Sequence, residues 1–289
     1  MSPRIQKALF LAPAVLMLAV FFIFPIFEAL RLSFTNSAGL GDYDYVGFEN
    51  YVRIFTRSRY YDTFRVTLEF VAIVVVVQTT LGLIFATALH AMPRIRNICR
   101  AALFMPAMMS FIIVGYVWSF ILSPFSGGLN AVLDLMGLGA FKHEWLGDPT
   151  TALLLVAAAH VWMFTGYTCA IFLAGYANIP TDLEEAARLD GANGWQRFRM
   201  IQLPLLAPSF TVNIMLSTIG TMKAFELPFV MTKGDPDGAT RTVGLQIIQT
   251  LFREYHFGLA SALSIVLLVI VLLVAFVQNW LLRAREDIL

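Results

Sequence analysis

The chain has 289 residues, 58% hydrophobic and 13% charged, with a mean hydropathy of +0.74 and a formal net charge of +1. Soluble domains run at roughly 45–50% apolar and about 25% charged, so this composition suits a chain whose solvent is lipid. The near-neutral charge and the lack of a basic tract give no electrostatic case for nucleic acid. Cys99 and Cys169 sit in unrelated segments without CxxC spacing, as ordinary free thiols do.

Crossing about 30 Å of hydrocarbon takes roughly 20 apolar residues, and each span must be helical because no water satisfies its backbone. The first apolar run, 8–30, follows Arg4 and Lys7. It outlasts the roughly 7–15 residue core of a signal peptide. It also contains Pro13 and Pro25, and no A-x-A site follows it, so it reads as a membrane helix. A polar, aromatic loop comes next, expected to be folded and solvent-facing. Further runs cover 66–89, 101–122, 152–175, 208–231 and 259–282. The expectation is an all-α integral membrane chain of six spans in one domain, with a loop at 176–207 between spans 4 and 5.

Lys and Arg in short loops set orientation. The tight loop "HAMPRIRNICR" carries Arg94, Arg96 and Arg100 without an acid, which puts it in the cytoplasm. The amino terminus, the 183–208 stretch and the carboxyl terminus (Arg283, Arg285) then share that side. The first loop opposes this, with Arg53, Arg57, Arg59 and Arg65.

"PTDLEEAARLDG" has the grammar of a short helix. Thr181 and Glu184 have capping-box spacing, Glu184 and Arg188 stand at i, i+4, and Gly191 suits a left-handed C′ position. A second helix should start near Asn193 and end at Leu203, because Pro204 cannot continue it, with Trp195, Phe198 and Ile201 along one side. Periodicity alone leaves two possibilities: a knob that other surfaces approach closely, or an amphipathic loop covering the membrane surface.

The wording of the segment goes further. Glu185-Ala186-Ala187, three residues, Gly191, nine residues and Ile201-Gln202-Leu203-Pro204 resemble the EAA signature of binding-protein-dependent ABC importer permeases, E-A-A-x3-G-x9-I-x-L-P. The stretches "LFLAPAVLMLAVFFIFPIFEALRLSFTN", "VGFENYVRIF" and "FELPFVMTKGDPDGATRTVGLQIIQTLFREYHFGLASALS" are similar to the maltose and glycerol-phosphate permease group. One departure is Thr232-Lys233-Gly234-Asp235-Pro236, where that group has T-x-G-G-P.

The resemblance implies a permease subunit of an ATP-driven importer, with a carbohydrate as its cargo, in a prokaryotic cell membrane with both termini cytoplasmic. Its implied partners are a second permease, a cytoplasmic ATPase dimer that binds ATP and Mg, and an extracytoplasmic solute-binding protein. Coupling to the ATPase would fall to Glu184, Glu185, Ala186, Ala187, Arg188, Asp190, Gly191, Ile201, Leu203 and Pro204. Solute would move by alternating access.

The residues themselves argue against an enzyme and against any cofactor held by this chain. No Gly-Lys dipeptide exists for a phosphate loop, there is no H-E-x-x-H or G-x-S-x-G, and His90, His143, His160 and His256 have no metal spacing. Polar groups inside the runs default to pathway roles. Lys223 and Glu226 stand three apart near the end of span 5, as a local ion pair or as vestibule lining. Asn213, Ser217 and Thr221 form a polar stripe that either meets substrate or glues helices. Tyr116, Trp118, Trp162 and Tyr167 suit sugar platforms or interfacial belts. Gly82, Gly166 and Gly175 suit close helix packing. The rival function is a self-contained secondary carrier or channel, which needs its own ion-coupling site.

Overall fold

The computed structural model describes residues 3–39, 41–92, 94–125 and 127–286, with side chains described between Phe10 and Leu282. The side chains of Arg4, Lys7, Arg283 and Arg285, used above for orientation, lie outside that set. Every regular element among the described residues is helical, and Thr35–Tyr45 forms an isolated antiparallel bridge.

In chain order, α1 (Pro3–Leu18) passes through a π-helical segment, Ala19–Ile23, into α2 (Phe24–Leu32). Pro25 has no N–H to return to the preceding turn, and the ladder widens just before it, with Phe24 N–H reaching Ala19 O. Then come α3 (Glu49–Thr56), α4 (Ser58–Ala91), α5 (Arg96–Phe104), α6 (Phe111–Ile121), α7 (Gly128–Leu135) and α8 (Pro149–Ala177). The remainder is α9 (Thr181–Leu189), α10 (Gly194–Arg197), α11 (Leu203–Leu205), α12 (Ala207–Met222), α13 (Glu226–Met231), α14 (Val243–Phe252) and α15 (Phe257–Glu286).

Four stretches among the described residues are long and apolar enough to cross a membrane: Phe10–Leu32, Ser58–Ala91, Pro149–Ala177 and Phe257–Leu282. Two helix pairs reach that length only if each is one bent span: Arg96–Met108 with Phe111–Ile121, bent by 96°, and Gly194–Leu205 with Ala207–Met222, bent by 63°. The first bend falls inside the run 101–122, and the run 208–231 is interrupted separately after Met222, so neither is the continuous helix that hydropathy suggests. In the first, Pro106 sits in a 3-10 turn (Met105–Met108), Met109 is extended, and Ser110 caps α6 by accepting from Ile112 N–H at 3.3 Å. In the second, α12 stops at Met222. Pro228 has no N–H for the Ala224 carbonyl, which accepts instead from Thr242 Oγ1 at 2.8 Å.

The chain divides into two compact units. The first comprises Met1–Asp62 and Gln246–Ile270. Its polar loop is folded, as expected: Asn50 Nδ2 donates to Ser33 O (2.9 Å) and Thr35 O (2.8 Å), and Phe34 packs on Phe48 and Tyr51. Gly258 lies so close to Thr35 O that any Cβ would overlap it.

The second unit comprises Thr63–Leu245 and Val271–Leu289, and α8 runs through it. Phe70, Val74, Val114, Val156 and Leu227 build one core, and Ala86, Phe172, Tyr176 and Leu206 build another. Gly82 abuts Thr168, Gly166 abuts the Leu103 backbone and Gly175 abuts Ser209, so each marks a close helix approach. At the start of α8, Asp148 accepts from Thr150 N–H (2.8 Å) and Thr150 Oγ1 (2.7 Å) and lies 2.7 Å from His143 Nε2. Those hydrogen bonds, the backbone one foremost, hold its carboxyl below its ordinary value.

Candidate functional site

The segment from Thr181 to Leu205 is a knob of short helices. Helix α9 ends in a Schellman turn: Ala192 N–H donates to Ala187 O at 2.9 Å and Gly191 N–H to Arg188 O at 3.1 Å, with Gly191 at φ +79°. Asn193 opens α10 with a reciprocal capping box, its side chain accepting from Gln196 N–H while Gln196 Oε1 accepts from Asn193 N–H. Two local expectations fail. Thr181 makes no cap: Pro180 holds the N-cap position and has no side-chain hydrogen bond, so the box lies one helix later. Pro204 does not end the second helix at Leu203. The backbone widens to π geometry over Phe198–Gln202, Leu203 N–H reaching Phe198 O, and helical structure continues to Leu205.

The two adjacent glutamates differ. Glu184 turns inward, its side chain 16% exposed. Its Oε1 accepts from Gln202 Nε2 at 2.9 Å and lies 3.6 Å from His90 Nε2 at the end of α4, while Arg188 stands 3.8 Å away. His90 stacks on Tyr176 of α8 (centroids 4.4 Å apart), and Tyr176 hydroxyl meets Thr87 Oγ1 at 2.8 Å. Glu185, Ala186, Arg188, Asp190 and Gly191 are exposed, while Ala187, Ile201, Leu203 and Pro204 are half-buried. Leu189 (89%), Met200 (75%) and Trp195 (66%) add large exposed apolar surface to the knob.

The second feature is a cavity of about 360 Å³ between α4, α6, α8 and α12. It brings together Tyr167, Asn213, Ser217, Thr221, Lys223 and Glu226 from the sequence candidates. Lys223 and Glu226 are not neighbours on one helical turn, because the break after Met222 separates them, and no ion pair joins them among the described residues. Tyr116 is exposed, Trp118 packs on the core edge-on to Trp162 (5.9 Å), and Trp162 borders a separate apolar cavity.

Sequence reasoning missed Gln78, His160, Phe111 and Phe164 in the lining. Gln78 Nε2 donates to Thr168 Oγ1 (2.8 Å) and Ser217 Oγ (2.9 Å), so Ser217 both faces the cavity and ties α12 to α4. A lone amide in the run "VAIVVVVQTT" is the signal that could have pointed to it. Five buried polar atoms around this space have no hydrogen-bond partner among the described residues: Gln78 Oε1, His160 Nδ1, Thr221 Oγ1 and both amide atoms of Asn213. No group of three or more possible metal ligands occurs among the described residues.

Helices of bilayer length around a cavity walled by both polar and apolar side chains, with a charged knob between two of them, fit a multi-pass membrane component of a transport system. The chain belongs to the family of binding-protein-dependent transport system inner membrane components, whose model matches residues 78–287. It is 34% identical over 284 residues to the trehalose/maltose transport system permease protein MalF of Thermococcus litoralis, covering 96% of this chain and 94% of that one. It is 28% identical to the probable starch degradation products transport system permease protein AmyD of Thermoanaerobacterium thermosulfurigenes, over 96% and 94% of the two chains. Its fold matches a chain of a bacterial alginate ABC transporter, solved with an alginate pentasaccharide-bound periplasmic protein, at TM-score 0.86 and 20% identity, covering 97% and 95%. It is a transport permease subunit rather than an enzyme.

Proposed function

We propose that this chain forms half of the path of an ATP-driven carbohydrate importer, with six spans, both termini and the knob in the cytoplasm, and solute passing through the cavity beside Asn213, Ser217 and Thr221. The observation that carries the substrate class is the set of five unpartnered polar atoms around about 360 Å³. Leaving a buried polar group unpaired costs about 1–3 kcal/mol, and a hydroxyl-rich solute would supply the missing partners. Phe111, Phe164 and Tyr167 in the same wall offer ring faces to the C–H faces of a sugar. Trehalose and maltose, starch degradation products, lactose and arabinooligosaccharides appear in the names of similar permeases, which supports the same class.

ATP and Mg would bind on a separate ATPase dimer, docked on the exposed face of Glu185, Ala186 and Gly191 with Leu189 beside it. A second permease would complete the path, and an extracytoplasmic solute-binding protein would deliver the solute. The test is Ser217→Leu, which removes an acceptor and fills the cavity. Uptake should be lost while the assembled complex is recovered in normal yield; full uptake at full assembly refutes the cavity as the path. Cysteines at Asn97 and Gln196 should label only from the cytoplasmic side, and those at Asp42 and Asp235 only from outside.

A further inference from the structure

Within the first unit an open cleft of about 630 Å³ gathers Arg53, Arg57, Arg59 and His256 around a single carboxylate, Glu254. Arg59 is paired with Glu254. Arg53 and Arg57 have no acidic partner among the described residues, and Arg53 Nε is buried without a hydrogen bond. Three arginines against one glutamate leave two positive charges before His256 is considered. The arrangement is held in place: the Arg53 and Arg59 guanidinium carbons lie 5.9 and 6.0 Å from the centroid of the buried Tyr60 ring.

Lysines and arginines are disfavoured in short external loops, so a cluster kept there against the rule calls for an anionic partner. A lipid headgroup fits poorly. Ser58 stands eight residues before Val66, where the apolar run of α4 begins, which is about 12 Å along a helix. The headgroup layer is only about 5–8 Å deep on each side of the hydrocarbon.

We propose that this cleft receives carboxylates from an acidic docking face of the extracytoplasmic solute-binding protein, an inference that rests on the orientation and partner proposed above. Guanidinium groups donate paired, charge-assisted hydrogen bonds to carboxylates, and Arg57, exposed and without an acidic partner among the described residues, is the group most free to do so. Arg53, fixed on Tyr60, supplies the second charge. The contact should speed encounter and weaken with salt.

The probe is the transporter's purified solute-binding protein, titrated onto the intact transporter in phosphatidylcholine nanodiscs while ATPase activity is read. Arg57→Glu should raise the half-saturating concentration about tenfold and flatten its salt dependence, with unstimulated ATPase unchanged. Arg53→Gln, which keeps the stem that packs on Tyr60, should give a smaller shift in the same direction. Arg65→Glu, outside the cleft, should titrate like the unaltered protein. The proposal is overturned if Arg57→Glu titrates like the unaltered protein, if Arg65→Glu matches it, or if the effect appears only when phosphatidylglycerol is added to the discs. An unaltered transporter that gains no ATPase activity from the binding protein would overturn the importer assignment as well, and that outcome is read before any variant is made.

Discussion

Glu184→Ala should loosen α9 from the Phe198–Gln202 segment of the knob, whereas Glu185→Ala should leave α9 seated. The bond from Gln202 Nε2 to Glu184 Oε1, at 2.9 Å on a side chain 16% exposed, is charge-assisted and worth about 1.5–3 kcal/mol. The Arg188 contact, 3.8 Å long on a side chain 62% exposed, adds at most about 0.5 kcal/mol. The His90 contact counts only when the imidazole is protonated, so it is left out of the sum. A loss of about 2 kcal/mol raises the fraction in which α9 is detached from Phe198–Gln202 roughly thirtyfold. Amide hydrogen exchange on the intact complex reads this directly: amides of α9 should exchange about thirtyfold faster in Glu184→Ala and at the unaltered rate in Glu185→Ala. Unchanged exchange in Glu184→Ala, or equal acceleration in both variants, would refute Glu184 as the internal tie. ATPase stimulation should fall in both variants, for different reasons: Glu184→Ala misplaces the docking face, and Glu185→Ala alters it.

Gly191→Ala should cost only about 1–2 kcal/mol, because the left-handed backbone at φ +79° is strained by a Cβ but nothing lies within 4 Å of one. Gly191→Pro fixes φ near −65°, removes the N–H bonded to Arg188 O and should abolish coupling, as ATPase assays of the two variants will distinguish. Gly166→Ala should lower the melting temperature of the complex through about 1–3 kcal/mol of overpacking against the Leu103 backbone, while Gly220→Ala, which meets open space, should not. For Asp148 the folded carboxyl titrates below its ordinary value of 3.8, so its contribution to stability is full above that value and is lost as pH falls below it. Asp148→Asn should flatten that acid limb in melting curves.

How much of this was legible in the sequence depends on the range of the interactions involved. The four unbroken spans follow from run length, because apolar composition over about 20 residues admits little but a helix in lipid. The Gly191 turn and the Asn193 helix start are local devices written in adjacent residues, and both stand where the sequence puts them. Thr181 had the same local grammar and lost to Pro180, which took the cap position without offering a side-chain acceptor. Asn213, Ser217 and Thr221 were found because four-residue steps mark one face. Gln78 and His160 reach the same cavity from other helices, and no spacing within α12 could announce them.

The two helix breaks and the cavity belong together. Phe111, just after the first break, and Lys223, Ala224 and Glu226, at the second, are all part of the cavity wall. Irregular backbone at membrane depth survives only where protein or a cavity takes up its freed polar groups, and the Thr242 hydroxyl does this for the Ala224 carbonyl. Thr242 is fully buried, and its Oγ1 also accepts from Leu245 N–H at 3.2 Å as α14 begins. Thr242→Val should therefore lose two bonds at nearly constant volume: about 1–3 kcal/mol for the orphaned carbonyl and about 0.5–2 kcal/mol for the cap. Pro228→Ala restores an N–H that can serve Ala224 O. Combined with Thr242→Val, it should recover the carbonyl share and leave the cap share lost. Melting of the purified complex across the four members of this cycle measures both shares. No recovery in the double variant would mean that Pro228 does not hold the break open.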